Sequence, residues 1–275
     1  MRITRLDLDG IGSPRKLAER IHEVLDLPLA VPIEELCGAL DIVSIEESDS
    51  TSFEAALVTD AVKSAGAILV SSSSPGHRRR FSLAHELGHF LIEAHRPREG
   101  QPLECALGDL LQSNSRDRDR RRRIEAEANA FAAHLLMPPK RIRQAIGRSG
   151  VSLETLVSIA RDFEVSKEAM ARAFVEANRE PVAIVVSRNG QVARFYRHED
   201  FPFLDVTKDK PLPPECAASD SIGAGEFTPQ EEVEPHIWVS DRDVARILAL
   251  TEQALGQVNG YALTLLQAEL DDEDE

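Results

Sequence analysis

The amino-acid sequence predicts an α+β protein: a small twisted sheet with a helical core, then a pair of short helices, then a second α+β module. Three observations carry this. Apolar residues recur at helical spacing over residues 14–27, 81–92 and 124–137, with short β-rich runs at 42–45, 53–59 and 67–71 between the first two. Two amphipathic segments flank Glu164-Val165-Ser166 within 152–178, the outline of a helix-turn-helix. From Pro181 onward the pattern changes to alternation, and Arg188-Asn189-Gly190 between two such runs is a hairpin signal. The expected division is a first domain over 1–148, a helix-turn-helix-like segment over 149–179 packed on it, and a C-terminal α+β module over 180–275.

Composition narrows the function classes. With 47 acidic against 32 basic residues the formal net charge is −15, which argues against nucleic-acid binding, since that affinity rests on clustered Lys and Arg. Within 152–178 the balance is again acidic, so the second helix of the pair is not expected to face phosphates. Cys37, Cys105 and Cys216 are dispersed and never form C-x-x-C, so neither a thiolate metal site nor a disulfide framework is expected. The N-terminal residues lack an apolar signal region, and no apolar run approaches the roughly 20 residues that span a bilayer. A reducing, cytoplasmic location without membrane partners is the expectation.

Each element has a local reason. Pro14 opens a helix that places Leu17, Ile21, Val24 and Leu25 on one face, and Pro32 introduces a second helix over 33–40. The strand at 67–71 leads through Ser73-Ser74-Pro75-Gly76 to a helix over 81–92 that Ser82 is placed to cap. That strand is either an ordinary core strand or an edge on which an extended peptide is laid. His77-Arg78-Arg79-Arg80 reads as solvated charge before the helix, with an anchor for an acidic substrate as the alternative. A surface excursion with a short helical turn near 107–111 is expected over 96–119, and the basic run 116–123 is expected to be the solvated start of the next helix, which stops at Pro138-Pro139. In the last module, strands are expected at 182–187, 191–196 and 261–269, loops over 201–235, a helix over 241–256 and a solvated acidic tail over 271–275, with Trp238 and Cys216 in structural roles.

The chemistry concentrates in His85-Glu86-Leu87-Gly88-His89. Histidines four apart on a helix project from one side, with Cβ atoms roughly 5–6 Å apart, which suits two nitrogens on one tetrahedral zinc. Glu86 is then placed as a general base, and Gly88 leaves room for a substrate backbone. A solvated helix bearing two histidines is the plain alternative, because H-E-x-x-H is short. The helix over 124–137 places Ile124, Ala128, Phe131, Ala132, Leu135 and Leu136 on one apolar arc, with Glu125 and Asn129 on its flank and Glu127 and His134 beyond its other edge. A carboxylate on a buried face needs a positive partner, which selects Glu125 over Glu127 as third ligand, with a plain ion pair between Glu125 and an arginine as the alternative. Asn129 is placed to hydrogen-bond a ligand imidazole. His95, six residues after His89, has the spacing of the metzincin third histidine, but Ile92 stands where that pattern needs a glycine, so His95 is not expected to be a ligand.

The segment RRRFSLAHELGHFLI, followed at this distance by IEAEANAFAAHLLMP, resembles the ImmA/IrrE family of bacterial zinc metallopeptidases over roughly 32–178. The resemblance implies that His85, His89 and Glu125 hold zinc and that Glu86 is the catalytic base. It further implies cleavage of a partner helix-turn-helix transcriptional repressor in stress or mobile-element regulation, with the C-terminal extension as a regulatory or sensing module. Many members carry an acidic residue where His134 stands. His77, His134 and Arg78 are the remaining candidates for contacts with substrate or developing charge. The competing function is a non-catalytic zinc-containing regulator that binds a repressor without cleaving it.

Overall fold

The computed structural model describes residues 1–49, 53–95, 115–219 and 222–271. Most of the expected surface excursion, including Cys105 and the turn near 107–111, and the tail beyond Asp271 lie outside the described residues. The chain is mixed α+β and forms two compact units: Met1–Pro138 with Asp162–Ser166, and Pro139–Arg161 with Lys167–Glu275. No described helix is long and apolar enough to cross a membrane.

The first unit runs α1 (Pro14–Val24), α2 (Ile33–Ala39), β1 (Ile42–Ser48), β2 (Ala55–Thr59), β3 (Gly66–Ser71), α3 (Gly76–Leu91) and α4 (Ser115–Leu136). Ser13 caps α1 through Lys16 N, and Pro14 occupies the first turn, where its missing N–H costs nothing. The sheet order is β1-β3-β2, with β3 parallel to β1 and antiparallel to β2. Both ladders of β3 are therefore used within the protein, and Ile68 and Val70 are fully buried. This overturns the edge reading: β3 is a central strand with no free backbone groups to offer a peptide along its length.

Helix α3 also begins earlier than expected. Pro75 precedes its first residue, so Ser82 lies buried within the helix and does not cap it. The arginine run is its opening turn and pairs internally: Arg78 with Glu54 at 3.1 Å, Arg79 with Glu34 at 2.9 Å and Arg80 with Glu164 at 3.3 Å. Three cations at a helix N-terminus oppose its dipole, and these acids offset that cost. Arg78 keeps 59 % of its side chain in solvent, while Arg79 and Arg80 are more enclosed, at 24 % and 18 %.

Two close approaches seat α3. A Cβ on Gly66 at the start of β3 would lie 2.8 Å from Ile42 Cδ1 and 3.1 Å from Phe90 Cδ2, so the glycine lets Phe90 settle on the sheet. At the same C-terminal end of α3, the buried Lys63 Nζ donates to the carbonyls of His89 and Ile92, each at 2.7 Å. Those are terminal carbonyls of α3 that the helix cannot satisfy itself, and a cation also complements the dipole there. Along α4, Ala128, Phe131, Ala132, Leu135 and Leu136 are buried, as the apolar arc requires.

The second unit contains α5 (Pro139–Ser149), α6 (Leu153–Asp162), α7 (Lys167–Ala177), β4 (Val182–Arg188), β5 (Gln191–Arg197), β6 (Glu231–Glu232), α8 (Asp241–Val244), β7 (Ile247–Gly256) and β8 (Tyr261–Leu270). Its antiparallel sheet has the order β5-β4-β8-β7-β6. Asn189 and Gly190, at φ 50° and 74°, make the expected tight turn between β4 and β5. Helices α6 and α7 cluster with this sheet: Gln253 of β7 accepts from Leu153 N at 2.7 Å and donates to Glu154.

The expected helix over 241–256 is replaced by one short turn, α8, and a ten-residue strand, β7. Ile247, Leu250 and Ala254 fit a helical face, but pairing with β8 along the whole strand and with β6 at Thr251 and Glu252 wins. Leu250, Glu252 and Ala254 then alternate inward, with Trp238 and Cys216 in the core they help close.

Candidate metal centre

Helices α3 and α4 bring three donors together. His85 Nε2 and His89 Nε2 lie 3.0 Å apart, Glu125 Oε2 is 3.2 Å from His85 Nε2, and Glu125 Oε1 is 3.5 Å from His89 Nε2. Donors at about 2.0–2.1 Å from a tetrahedral zinc are separated from one another by about 3.3 Å, so this triangle has the right size. Its chemistry fits as well: two imidazoles and a carboxylate form a nitrogen–oxygen set suited to that ion. Two imidazole nitrogens turned toward each other at 3.0 Å also need a cation or a proton between them, because bare lone pairs repel.

The electrostatics agree. Burial raises the Glu125 carboxyl, but hydrogen bonds from His85 and His89 outweigh it and hold it well below the usual carboxylate range. Burial pulls His85 down, and Glu125 with Glu86 more than reverses this, leaving it above the ordinary imidazole value. For His89 burial dominates, and its value falls. The Glu125 side chain keeps 41 % of its exposure while His89 keeps 1 %, so the cluster opens on the Glu125 side.

Each imidazole is held from behind. Asn129 Oδ1 faces His85 Nδ1 at 3.0 Å, as its place one turn after Glu125 leads one to expect. His89 Nδ1 faces His95 Nδ1 at 3.1 Å, and His95 Nε2 faces Glu127 Oε2 at 2.9 Å. His95 is fully buried, and burial pushes it down to about 4 despite Glu127. Its ring therefore lies behind His89 and away from the donor triangle. Ile92 ends α3 at φ −73°, with no positive-φ break, and His95 N bonds back to Ile92 O at 3.0 Å. Spacing alone sets His95 aside as a ligand and assigns it no other part. The available signal is a histidine just past the helix together with an acid two residues after Glu125.

Glu86 is 1 % exposed on the turn between the two histidines. Gly88 needs a different explanation from the one its spacing offered. A Cβ there would lie 2.8 Å from Phe131 Cδ1, so the glycine allows α4 to approach α3, and it is not a gap left for substrate. His77 is exposed in the first turn of α3, about 12 Å along the axis from His85. Arg78 is engaged with Glu54. His134 turns back to Ala130 O at 3.0 Å, roughly 13 Å along α4 from Glu125. The structure brings none of these three into the cluster.

The IrrE N-terminal-like domain of the Peptidase M78 family matches residues 37–174, half of the chain and the part that holds this cluster. The chain belongs to the ImmA/IrrE family. That family is one of zinc metallopeptidases. Among curated proteins, the radiation response metalloprotease IrrE of Deinococcus radiodurans is 30 % identical over 135 residues, covering 46 % of this chain and 36 % of that protein. The chain thus aligns with about a third of the relative's length. Among solved structures, a Mycobacterium tuberculosis transcriptional regulator matches with a TM-score of 0.55 at 15 % identity, covering 93 % of this chain and 76 % of the other. At that identity the likeness is one of fold.

Proposed function

We propose that this ImmA/IrrE protein is a zinc-dependent endopeptidase, and the observation that supports this best is the convergence of His85, His89 and Glu125 from two helices. Zinc bound there would supply Lewis acidity toward a peptide carbonyl and toward water. Glu86, buried beside the cluster, takes the proton from the attacking water and returns it to the departing amine. His85 and His89 present their Nε2 lone pairs, while Asn129 holds the His85 ring in place. Three protein donors among the described residues leave a position for substrate, whereas a structural zinc site is usually closed by four. That count favours catalysis over the non-catalytic regulator.

The substrate we propose, from the family resemblance, is a helix-turn-helix transcriptional repressor acting in stress or mobile-element regulation, in the cytoplasm. The acidic balance of the chain supports a protein partner over direct nucleic-acid contact. We also assign the peptidase to 1–148 and a regulatory or sensing role to 180–275. The test is incubation of purified protein with a candidate repressor, with and without chelator. Metal-dependent cleavage that Glu86→Gln abolishes, by about 10²–10⁴-fold with zinc retained, is the expected result. An active Gln variant, or binding without cleavage, would overturn the catalytic reading.

A further inference from the structure

We infer that His95 and Glu127 form a relay that holds His89 in the tautomer whose Nε2 lone pair faces His85 and Glu125, making both of them positioning residues for the metal. The inference rests on the zinc reading above and adds two residues that are not themselves donors.

The proton positions follow in one direction. An ionised carboxylate only accepts, so the 2.9 Å contact to Glu127 Oε2 puts a proton on His95 Nε2. A neutral imidazole carries one proton, which leaves His95 Nδ1 as an acceptor. The 3.1 Å contact is then donated by His89 Nδ1 to His95 Nδ1, and His89 Nε2 is left unprotonated. Lys63, bound to the carbonyls of His89 and Ile92, fixes the end of the helix that carries the His89 ring.

The arrangement also explains how a histidine only six residues away reaches the rear of His89. The helix stops at Ile92, and the turn closed by His95 N on Ile92 O carries the ring back beneath its last turn. Glu127 arrives from α4, two residues after Glu125 and two before Asn129. Two flanks of α4 therefore act together: Glu125 and Asn129 on one supply a metal donor and the support for His85, and Glu127 on the other ends the support for His89. Any slip of α4 against α3 would disturb all three together.

The test compares His95→Phe, which keeps ring volume without an acceptor, with Glu127→Leu and Glu127→Gln. Zinc affinity is measured by competition with a chromogenic chelator, and nitrogen NMR of ¹⁵N-histidine-labelled, metal-free full-length protein reads the His89 tautomer. His95→Phe and Glu127→Leu are expected to weaken zinc by about 10–100-fold. Both should also move His89 away from the Nδ1–H form. Glu127→Gln, whose amide oxygen still accepts from His95, should restore affinity to within about threefold of wild type. Glu127 is at the surface, so the Leu variant remains informative if His95→Phe fails to fold. Wild-type zinc affinity in both Glu127→Leu and His95→Phe overturns the relay while leaving the zinc site standing. A wild type that takes up no zinc overturns both.

Discussion

Each unit holds a carboxylate in a polar cluster, half-exposed Glu125 in the first and buried Glu252 in the second, and the two are satisfied in opposite ways. Glu252, on β7, accepts from Ala217 N at 2.9 Å and from Trp238 Nε1 at 3.2 Å. Both donors are neutral and fixed, so the group is closed, and burial raises its carboxyl despite them. Glu125, on α4, faces two imidazole nitrogens that must share a proton or a cation with it, and their hydrogen bonds hold its carboxyl low. A buried acid surrounded by donors ties a loop to a strand. A partly exposed acid facing two imidazole nitrogens is one corner of a cation site.

The contrast is sharpest in paired substitutions. Glu125→Ala is expected to reduce zinc from near one ion per chain to trace levels, read by metal analysis, with little change in the unfolding midpoint of the metal-free protein. Glu252→Ala is expected to do the reverse. It strands the Trp238 and Ala217 donors in the core, at about 1–3 kcal/mol for each unpaired group, while zinc content stays unchanged. Zinc loss in the Glu252 variant would end the distinction.

Gly88→Ala probes the geometry behind the first carboxylate. The added methyl meets Phe131, an overpacking cost of about 1–3 kcal/mol, set against about 1 kcal/mol gained in helix propensity. Stability should therefore change by no more than about 2 kcal/mol, while zinc affinity falls further because α4 carries Glu125. Chelator competition beside thermal melts separates the two, and an unchanged affinity would show that the α3–α4 distance is not what sets the site.

The smallest effect is a pH dependence. Glu252 has its carboxyl raised in the folded chain, so its contribution to stability is full below the ordinary value of 4.5 and is lost as pH rises through the folded value. Denaturation midpoints of wild type should fall relative to Glu252→Gln over that rise, apart from a constant offset between the two proteins. A difference that stays flat from pH 4 to 7 would mean that Glu252 is not held high.

Much of the donor cluster is legible in the amino-acid sequence, because helical spacing is a local property. His85 and His89 share a face by being four apart, and Glu125 stands out as a charge on the flank of an apolar arc. The two helices that carry them, the three strands of the first unit and the β4–β5 turn are likewise encoded in nearby residues. What local pattern cannot rank are alternatives settled by distant partners. Residues 247–256 suit a helix in isolation and become β7 only because β8 and β6 lie beside them. Nothing within β3 distinguishes a central strand from an edge, since that depends on β1 and β2 both closing on it. Gly88 acquires its meaning from Phe131, 43 residues on, and His95 from Glu127, 32 residues on. Spacing along the chain determines which side chains share a face, and only tertiary packing decides what that face meets, because the opposing atoms come from segments whose approach no local pattern records.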